Sequence, residues 1–256
     1  MILLFGDVHG CFKQVSTLVK FHKPAAIIFL GDIEPQQPFE KEVKDILGLT
    51  ELYFIHGNHD TDTEENYKNL FLSGLAGRNI HNRIVEIDGV KVAGLGGIFR
   101  EPWLPKDDIN VEPKYQNYEE MINAMAQKQY VKARAHNRAN EVPDGNARKH
   151  VSSIFYDEWL NLSVETADIL VTHEAPSCHR YGFVAIDALA QSMKVKKTFH
   201  GHHHDRLDYS SQFNKLGFKA YGVGYRGVCD QDGNLIAEGK YDEKRAHRQM
   251  NMGEQE

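Results

Sequence analysis

The sequence contains little cysteine, no long apolar run and no basic leader. Its three cysteines, Cys11, Cys178 and Cys229, are too few and too far apart for a disulfide framework. The longest uninterrupted apolar stretch, residues 25–30, is much shorter than a membrane-spanning helix requires. Residues 1–5 lack the basic region that opens a secretory signal peptide. We therefore expect a reduced, cytoplasmic protein that does not associate with membranes.

An excess of positive charge is also missing. The chain has 30 Lys and Arg residues against 36 Asp and Glu residues, a formal net charge of −6. This balance argues against a protein that coats nucleic acid or an anionic membrane, so a nucleic-acid substrate stays open but is not favoured. Hydrophobic residues make up 41% of the chain, which is enough for a substantial core.

Histidine is the residue type whose distribution needs an explanation. Eight of the 14 histidines fall in four short stretches of the chain. They are His9; His56 and His59; His173; and His200, His202, His203 and His204. Average composition gives no reason for this clustering, so the reason has to lie in the residues around them.

Strand and helix patterns alternate in the first half of the chain. Short apolar strands are predicted at residues 2–5, 26–30 and 52–55, each followed by apolar residues at helical spacing. The helical patterns run from Phe12 to Phe21, from Phe39 to Leu47 and from Tyr67 to Phe71. Such alternation is typical of βαβ units in a mainly parallel sheet.

The second half begins with a hairpin signal and continues into a long polar segment. Asp88-Gly89 stands between two apolar strands, which predicts a two-residue β-hairpin. The polar segment, residues 100–165, contains helical stretches such as Met121–Ala139. Strand patterns resume at residues 168–172, 197–199, 220–223, 227–229 and 235–238. We expect one domain, residues 1–241, with a helical cap insertion at about 100–165 and a charged, flexible tail at 242–256.

Five polar clusters each follow a predicted strand. They are Asp7-Val8-His9, Gly31-Asp32, Gly57-Asn58-His59-Asp60, His173-Glu174 and Gly201-His202-His203-His204. In open α/β sheets, functional loops collect beyond the carboxyl ends of the strands. Carboxylate, imidazole and amide oxygen together suit divalent ions such as Mn, Fe, Zn, Co or Ni, and the lack of thiolates argues against a structural zinc site.

The order of these clusters resembles the calcineurin-like metallophosphoesterases, whose signature reads D-x-H, G-D-x-x-D, G-N-H-[DE], a later His and G-H-x-H. The match runs in sequence order over residues 7–204. The resemblance implies an α/β fold, an α/β/β/α sandwich of two mixed sheets flanked by helices, and a dinuclear metal-dependent phosphohydrolase. It also implies two divalent transition metal ions, with Mn favoured and Fe, Zn, Co and Ni as alternatives.

The same resemblance implies a role for each signature residue. One metal would be held by Asp7, His9 and His204, the second by Asn58, His173 and His202, and Asp32 would bridge the two. A hydroxide between two cations roughly 3.5–4 Å apart would attack the phosphate ester. His59 resembles the histidine that assists the leaving group, as a general acid or an electrostatic donor worth about 10²–10⁴-fold in rate.

In one place the sequence departs from the signature. The second Asp of G-D-x-x-D, which usually orients the catalytic histidine in the family, is replaced here by Pro35. The D-R-G continuation of the phosphoprotein phosphatase branch, with its phosphate-binding Arg, is also absent. Glu34 and Asp60 are two alternatives for orienting His59, and Asp60 is counted with His59 as a catalytic residue.

Two further features point toward the substrate. Arg100 follows a glycine-rich turn and is expected to contact substrate phosphate as a planar fork donor. Residues 128–150 carry six basic and two acidic side chains, a local charge of +4. This segment either draws anionic substrate toward the metals or is a solvated helical face, and both interpretations stand.

The leading hypothesis is therefore a phosphohydrolase whose substrate is a phosphomonoester, a phosphoprotein, or a nucleotide or other phosphodiester. The rival hypothesis is a non-catalytic scaffold that keeps the fold as a protein-binding surface. The chain retains seven ligand positions and His59, which favours the enzyme. No motif identifies the substrate, and the fold does not identify it either.

Overall fold

The computed structural model describes residues 1–127 and 142–242. Its strands are β1 (Ile2–Phe5), β2 (Ala26–Leu30), β3 (Glu51–Ile55), β4 (Arg83–Ile87), β5 (Val90–Leu95), β6 (Ile169–Thr172), β7 (Lys197–His200), β8 (Lys219–Gly222), β9 (Val228–Asp230) and β10 (Leu235–Ala237). Its α-helices are α1 (Lys13–His22), α2 (Phe39–Glu42), α3 (Glu64–Phe71), α4 (Tyr118–Gln127), α5 (Gly145–His150), α6 (Tyr156–Ser163), α7 (Val184–Ser192) and α8 (Phe213–Leu216).

Within these ranges the strands form two five-stranded sheets. The first sheet has the order β10-β9-β1-β2-β3, in which β1, β2 and β3 are parallel and β9 and β10 are antiparallel. The second has the order β4-β5-β6-β7-β8, in which β4 is antiparallel to β5 and the other strands are parallel. Both sheets are therefore mixed, as the resemblance implied.

Alternation along the strands places the two sheets face to face. In β1, Leu3 packs under α1 on the outer face, while Leu4 belongs to the apolar layer between the sheets. In β6, Leu170 packs under α6 and α7, while Val171 points into the same middle layer. Since neighbouring residues of a strand point to opposite faces, this pattern defines four layers. The predicted α/β/β/α sandwich is confirmed.

The insertion packs against the second sheet and has a small core of its own. Trp103 is buried beside Trp159 on the outer face of that sheet. Met121, Ala147 and Phe155 form a separate apolar cluster that joins α4, α5 and the start of α6. The insertion is thereby attached to the outer face of the second sheet.

Some sequence expectations fall wholly or partly outside the described residues. The helix predicted at Met121–Ala139 is α4 as far as Gln127, and its remainder lies outside. Most of the basic segment 128–150 and the tail from residue 243 onward also lie outside. The division into one domain and a flexible tail stays a prediction. In the part of the chain that is described, no helix is both long and apolar enough to cross a bilayer.

Two local predictions had opposite outcomes. The Asp88-Gly89 hairpin is confirmed, with both residues at positive φ (50° and 75°), as a turn of type I′ requires. The helix predicted from Phe39 to Leu47 is wrong beyond its first turn, because α2 ends at Glu42. The chain then continues in three-residue turns, such as Ile46 N to Val43 O at 3.0 Å, which keep Val43 and Ile46 in the core and leave Leu47 exposed.

Candidate metal centre

The signature residues lie in loops that follow the carboxyl ends of parallel strands in both sheets. The first sheet contributes the loops after β1, β2 and β3, and the second contributes those after β6 and β7. The structure brings together all seven residues assigned to metals, which are Asp7, His9, Asp32, Asn58, His173, His202 and His204. They form two clusters that share Asp32.

The loop backbones that carry these residues are unusual. His9, Asp32, His202 and His204 have positive φ angles of 41°, 45°, 68° and 60°, a region that non-glycine residues rarely adopt. Each such residue costs free energy, and such conformations concentrate where a site needs them. Four of the seven residues in this unfavoured conformation indicate that the loops are shaped to bring these side chains together.

Glycine is required where two loops approach each other. A Cβ added to Gly57 would lie 2.3 Å from Asp32 Oδ1, and one added to Gly201 would lie 2.3 Å from Asp7 Oδ1. No other residue type fits at these distances without moving a carboxylate. The glycines of G-N-H and G-H-x-H therefore make room for the acidic side chains.

The first group, called here the outer cluster, consists of Asp7, His9, Asp32 and His204. His9 Nε2 lies 3.1 Å from His204 Nε2, which in turn lies 3.3 Å from Asp7 Oδ2. Asp7 is fully buried, and its Oδ2 makes no hydrogen bond within the described residues. The opposite ring nitrogen of His9 contacts the carboxylate of Glu34. That contact places the proton on Nδ1 and leaves the Nε2 lone pair directed at the cluster.

The second group, called here the inner cluster, consists of Asp32, Asn58, His173 and His202. His173 Nε2 lies 3.4 Å from Asp32 Oδ2 and 3.3 Å from Asn58 Oδ1. His173 Nδ1 donates to the carbonyl of Leu30 at 2.7 Å, which fixes the ring and directs Nε2 at the cluster. His173 is completely buried.

The electrostatics of this region favour positive charge beside the buried carboxylates. Burial opposes an imidazolium at His173, but the carboxylates of Asp32 and Asp7 outweigh it and raise the pKa of His173 to about 10. Burial, together with the neighbouring Asp32, raises the pKa of the Asp7 carboxyl to about 7. In the absence of a cation, protons on these groups compensate the buried negative charge.

The donor set fits two divalent cations. The clusters offer imidazole nitrogens with fixed tautomers, a carboxylate shared between them and an amide oxygen, the ligand types that Mn, Fe, Zn, Co and Ni accept. The Oδ2 of Asp7 also supports the assignment, because a buried carboxylate oxygen that accepts no hydrogen bond, here 3.3 Å from His204 Nε2, is costly unless an ion meets it.

His59 borders the outer cluster without joining it. Its ring centre lies 5.6 Å from that of His9, and its backbone N–H donates to Asp32 Oδ1 at 2.8 Å. The imidazole is half exposed, so a substrate could reach it. Burial opposes protonation of His59, but Asp32, Asp62 and Glu34 together raise its pKa.

Neither residue expected to orient His59 contacts its imidazole. The Asp60 carboxylate accepts hydrogen bonds from the backbone N–H groups of Ile33, Glu34 and Gly57, each at 2.8 Å, and so joins two loops. Glu34 contacts His9 instead. The side chain on His59 Nδ1 is Asp62, at 2.6 Å, which sequence reasoning missed. The signal in the sequence was that Asp62 lies three residues after His59. Two side chains at that spacing lie over each other only if the chain forms a tight 3₁₀ turn there.

Arg100 lies at the base of the insertion and faces the carboxylates of the site. Its Nη1 donates to Lys149 O at 3.0 Å, to Ser152 Oγ at 3.1 Å and to Ser153 Oγ at 3.2 Å. Burial lowers the pKa of the guanidinium, while Asp62 and other carboxylates of the site act in the opposite direction. The structure thus places Arg100 near the centre but anchors one end of its fork on the insertion.

The remaining clustered histidines lie around the centre. His56 is buried and contacts Asn79 Nδ2 at 3.2 Å, and His200 is buried with Nε2 at 3.3 Å from the Tyr209 hydroxyl. His203 stacks on His179 with ring centres 3.8 Å apart. His203 also has a ring nitrogen within 4.8 Å of ligand atoms of Glu174 and His202, although His202 already belongs to the inner cluster.

Comparison with known proteins finds similarity in sequence and in fold. A protein of Haemophilus influenzae (strain ATCC 51907 / DSM 11121 / KW20 / Rd), described as uncharacterized, is 33% identical over 237 residues, covering 92% of this chain and 96% of that protein. The crystal structure of TT1561 of Thermus thermophilus superposes with a TM-score of 0.51 at 13% identity, covering 93% of this chain and 97% of that one. At that identity, the likeness to TT1561 concerns the fold alone.

The family model of the calcineurin-like phosphoesterases matches residues 1–206, which includes both sheet edges that form the centre. This match confirms the resemblance seen in the sequence motifs. The general activity that the family supports is metal-dependent hydrolysis of phosphoesters. With most of its length matched and its ligand clusters assembled as the motifs implied, the chain belongs to the calcineurin-like phosphoesterase family.

Proposed function

We propose that this protein hydrolyses phosphate esters at a dinuclear centre. Asp7, His9 and His204 hold one divalent ion, Asn58, His173 and His202 hold the other, and Asp32 bridges them. When bound, the two ions supply Lewis acidity toward the phosphoryl oxygens and promote deprotonation of water. The observation that carries the proposal is that the carboxylate of Asp32 belongs to two groups of ligand atoms. Within each group, all ligand atoms lie within 4.8 Å of one another.

His59 is proposed as the group that delivers a proton to the leaving oxygen. Its half-exposed imidazole stands next to the outer cluster, where an ester on the centre would place its leaving group. The carboxylates around it favour its protonated form, which a general acid requires. Asp60 supports this arrangement by fixing the loops that carry Asp32 and His59.

Arg100 is proposed to bind a phosphoryl oxygen of the substrate. Among the described residues, every hydrogen bond from its guanidinium leaves through Nη1, so the other nitrogens of the fork remain for a ligand. An anchored, planar donor of this kind orients a tetrahedral oxyanion at a small cost in side-chain entropy. The proposal extends to phosphomonoesters, phosphoproteins and nucleotides or other phosphodiesters, with Mn as the favoured metal and the cytoplasm as the compartment.

The proposal is tested by assaying the purified protein on 4-nitrophenyl phosphate and bis(4-nitrophenyl) phosphate, with Mn, Fe, Zn, Co or Ni supplied and after chelation. We expect turnover of at least one ester that disappears on chelation and returns when metal is added. His59→Asn should slow turnover by about 10²–10⁴-fold with metals retained. His22→Asn, at the end of α1, is the matched control and should leave the rate unchanged. Inactivity on both esters with every metal would refute the proposal and favour a non-catalytic scaffold.

A broader substrate panel then separates the substrate classes. Nucleotides, phosphopeptides, sugar phosphates and RNA would be compared at equal concentrations and at two salt concentrations. A nucleic-acid substrate should bind less tightly as salt rises, because binding releases counterions from the phosphates. A small phosphomonoester should show little such dependence.

A further inference from the structure

We infer that Asp62 is the positioning residue of His59, in place of the acidic residue that the chain lacks at Pro35. The Asp62 carboxylate holds the Nδ1–H of His59, so that Nε2 faces the leaving group of the substrate. This inference rests on the proposed function, since it gives His59 its orientation in that reaction.

The contact arises from the local fold of the loop after β3. Residues His59–Thr61 form a 3₁₀ turn, and the N–H of Asp62 closes it by donating to His59 O at 3.2 Å. Side chains three residues apart are eclipsed in a 3₁₀ turn, which brings the carboxylate of Asp62 over the imidazole. The resulting distance of 2.6 Å between Asp62 Oδ2 and His59 Nδ1 is that of a charge-assisted hydrogen bond.

The neighbouring carboxylates are already engaged by other groups. Both oxygens of Asp60 accept backbone N–H groups, and Glu34 contacts His9 through one oxygen and accepts from Asn66 Nδ2 at 3.3 Å through the other. Among the described residues, the contact on Nδ1 of His59 therefore comes from Asp62.

The insertion fixes the backbone of this turn from the outside. Arg148 Nε donates to Thr61 O at 3.2 Å, and Arg148 Nη2 donates to Asp62 O at 3.4 Å. Thr61 Oγ1 shares a hydrogen bond of 2.7 Å with Ser152 Oγ. A backbone held by these contacts keeps the Asp62 carboxylate in place beside His59.

Because both side chains of the His59–Asp62 pair are exposed, we infer that the pair serves the reaction more than the stability of the fold. The side chain of His59 is 45% exposed and that of Asp62 is 51% exposed. Exposed ion pairs contribute little to the free energy of unfolding. Removing the carboxylate should therefore change turnover while leaving thermal stability and metal content as they are.

The experiment compares Asp62→Asn with Glu64→Gln in the metal-loaded protein. Glu64 lies two residues further on, is exposed and pairs with Lys68, so its substitution removes the same charge without touching His59. We expect Asp62→Asn to lower kcat roughly tenfold to hundredfold, part of the 10²–10⁴-fold that a whole general acid supplies. KM, melting temperature and metal content should stay unchanged, and Glu64→Gln should behave as the original protein.

Two further readouts separate positioning from a structural role. Phenyl phosphate, whose leaving group is poorer, should lose more rate than 4-nitrophenyl phosphate in Asp62→Asn. In a His59→Asn background, Asp62→Asn should cost nothing further, because its effect passes through the imidazole. An unchanged rate in Asp62→Asn, an equal loss for both esters or a full additional loss in the His59→Asn background would overturn the inference.

A spectroscopic readout keeps this inference distinct from the proposed function. The side-chain nitrogen resonances of His59 in isotope-labelled protein, assigned by their loss in His59→Asn, should shift in Asp62→Asn and not in Glu64→Gln. If the original protein hydrolyses no ester, the proposed function fails, and this shift still reports whether the pair exists. If turnover is present but neither rate nor resonance responds to Asp62→Asn, the inference alone fails.

Discussion

The inner and outer clusters offer similar ligand atoms but are held in place in different ways. In the inner cluster, His173 is completely buried and its Nδ1 is fixed by a backbone carbonyl, that of Leu30. In the outer cluster, the side chain of His9 is 16% exposed and its Nδ1 is fixed by another side chain, that of Glu34. A carbonyl of β2 cannot move without disturbing the sheet, whereas the partly exposed carboxylate of a loop residue can.

This difference distinguishes a cluster with a ligand fixed by the sheet from a cluster with a ligand fixed by a movable side chain. In the inner cluster His173 is oriented by the sheet itself, so we expect the inner ion to bind more tightly and to exchange slowly. In the outer cluster His9 depends on a loop side chain, and both His9 and His204 are partly exposed, so we expect the outer ion to exchange first. Asp32 belongs to both clusters, so a substitution at Asp32 should weaken the binding of both ions alike.

The largest effect is therefore expected from Asp32→Asn. Losing the shared carboxylate should weaken both ions together and lower kcat/KM by more than about 10³-fold, the upper range for loss of a single preorganised donor. Metal content per chain and turnover would be measured in the same samples. Asp88→Asn, in the exposed hairpin turn, is the control and should retain both ions. Loss of one ion alone would show that Asp32 does not bridge.

The next effect separates the clusters through their histidines. His173→Asn removes a buried positive charge from between Asp7 and Asp32 and should lower the free energy of unfolding of the metal-free protein by about 3–5 kcal/mol. His9→Asn, at the partly exposed position, should cost less than half as much. Denaturant unfolding of both variants measures the difference. Equal losses of unfolding free energy would show that the buried His173 and the partly exposed His9 do not differ in this way.

A smaller effect concerns pH in the metal-free protein. The pKa of His173 is raised to about 10, so the stability it contributes is complete below its ordinary value of 6.5 and is lost as pH rises toward 10. Asp7, raised to about 7, acts in the same direction as it ionises. His200, whose pKa burial lowers to about 4, opposes this trend only below pH 6.5. The melting temperature should therefore fall between about pH 7 and pH 9.

Metal loading is the control for that trend. A cation at the centre replaces the proton on His173, so the loaded protein should lose less stability over the same pH range. In the metal-free His173→Asn variant, the fall in melting temperature between about pH 7 and pH 9 should also be smaller. A metal-free melting temperature that rises from about pH 7 to pH 9 would contradict the assigned direction.

Much of the fold and of the ligand set follows from the sequence for one physical reason. Asp7 and Asp32 follow short apolar strands of the first sheet and His173 follows one of the second, and the parallel strands of each sheet end at the same edge. The local pattern thus predicts a common location for residues that are far apart in the chain. The hairpin at Asp88-Gly89 was predictable because two consecutive positive φ angles restrict the residue types.

The remaining features depend on tertiary geometry that no local pattern encodes. Glu34 reaches His9 because its own backbone is left-handed, with φ of 47°, which a residue other than glycine rarely adopts. Asp62 reaches His59 through a single 3₁₀ turn, too short to leave a periodic signal. The second turn predicted after Glu42 does not form, although Val43 and Ile46 are buried as the pattern required, and Leu47 is exposed.

The smallest expected effect, and the one that tests the comparison most finely, comes from Glu34→Gln. The amide keeps the size of the side chain but removes the charge that holds the Nδ1 proton of His9. Loss of such an orienting partner typically weakens metal affinity by about 10–100-fold. We expect that loss for the outer ion alone, since His173 is oriented by Leu30 O and does not depend on Glu34. Titration of the metal-free protein with Mn measures the two affinities separately.

Glu42→Gln, whose carboxylate accepts only the N–H of Gln36 among the described residues, is the matched control. If both affinities fall together, the clusters are coupled through Asp32 strongly enough that inner and outer are one unit, and the proposed order of exchange is wrong.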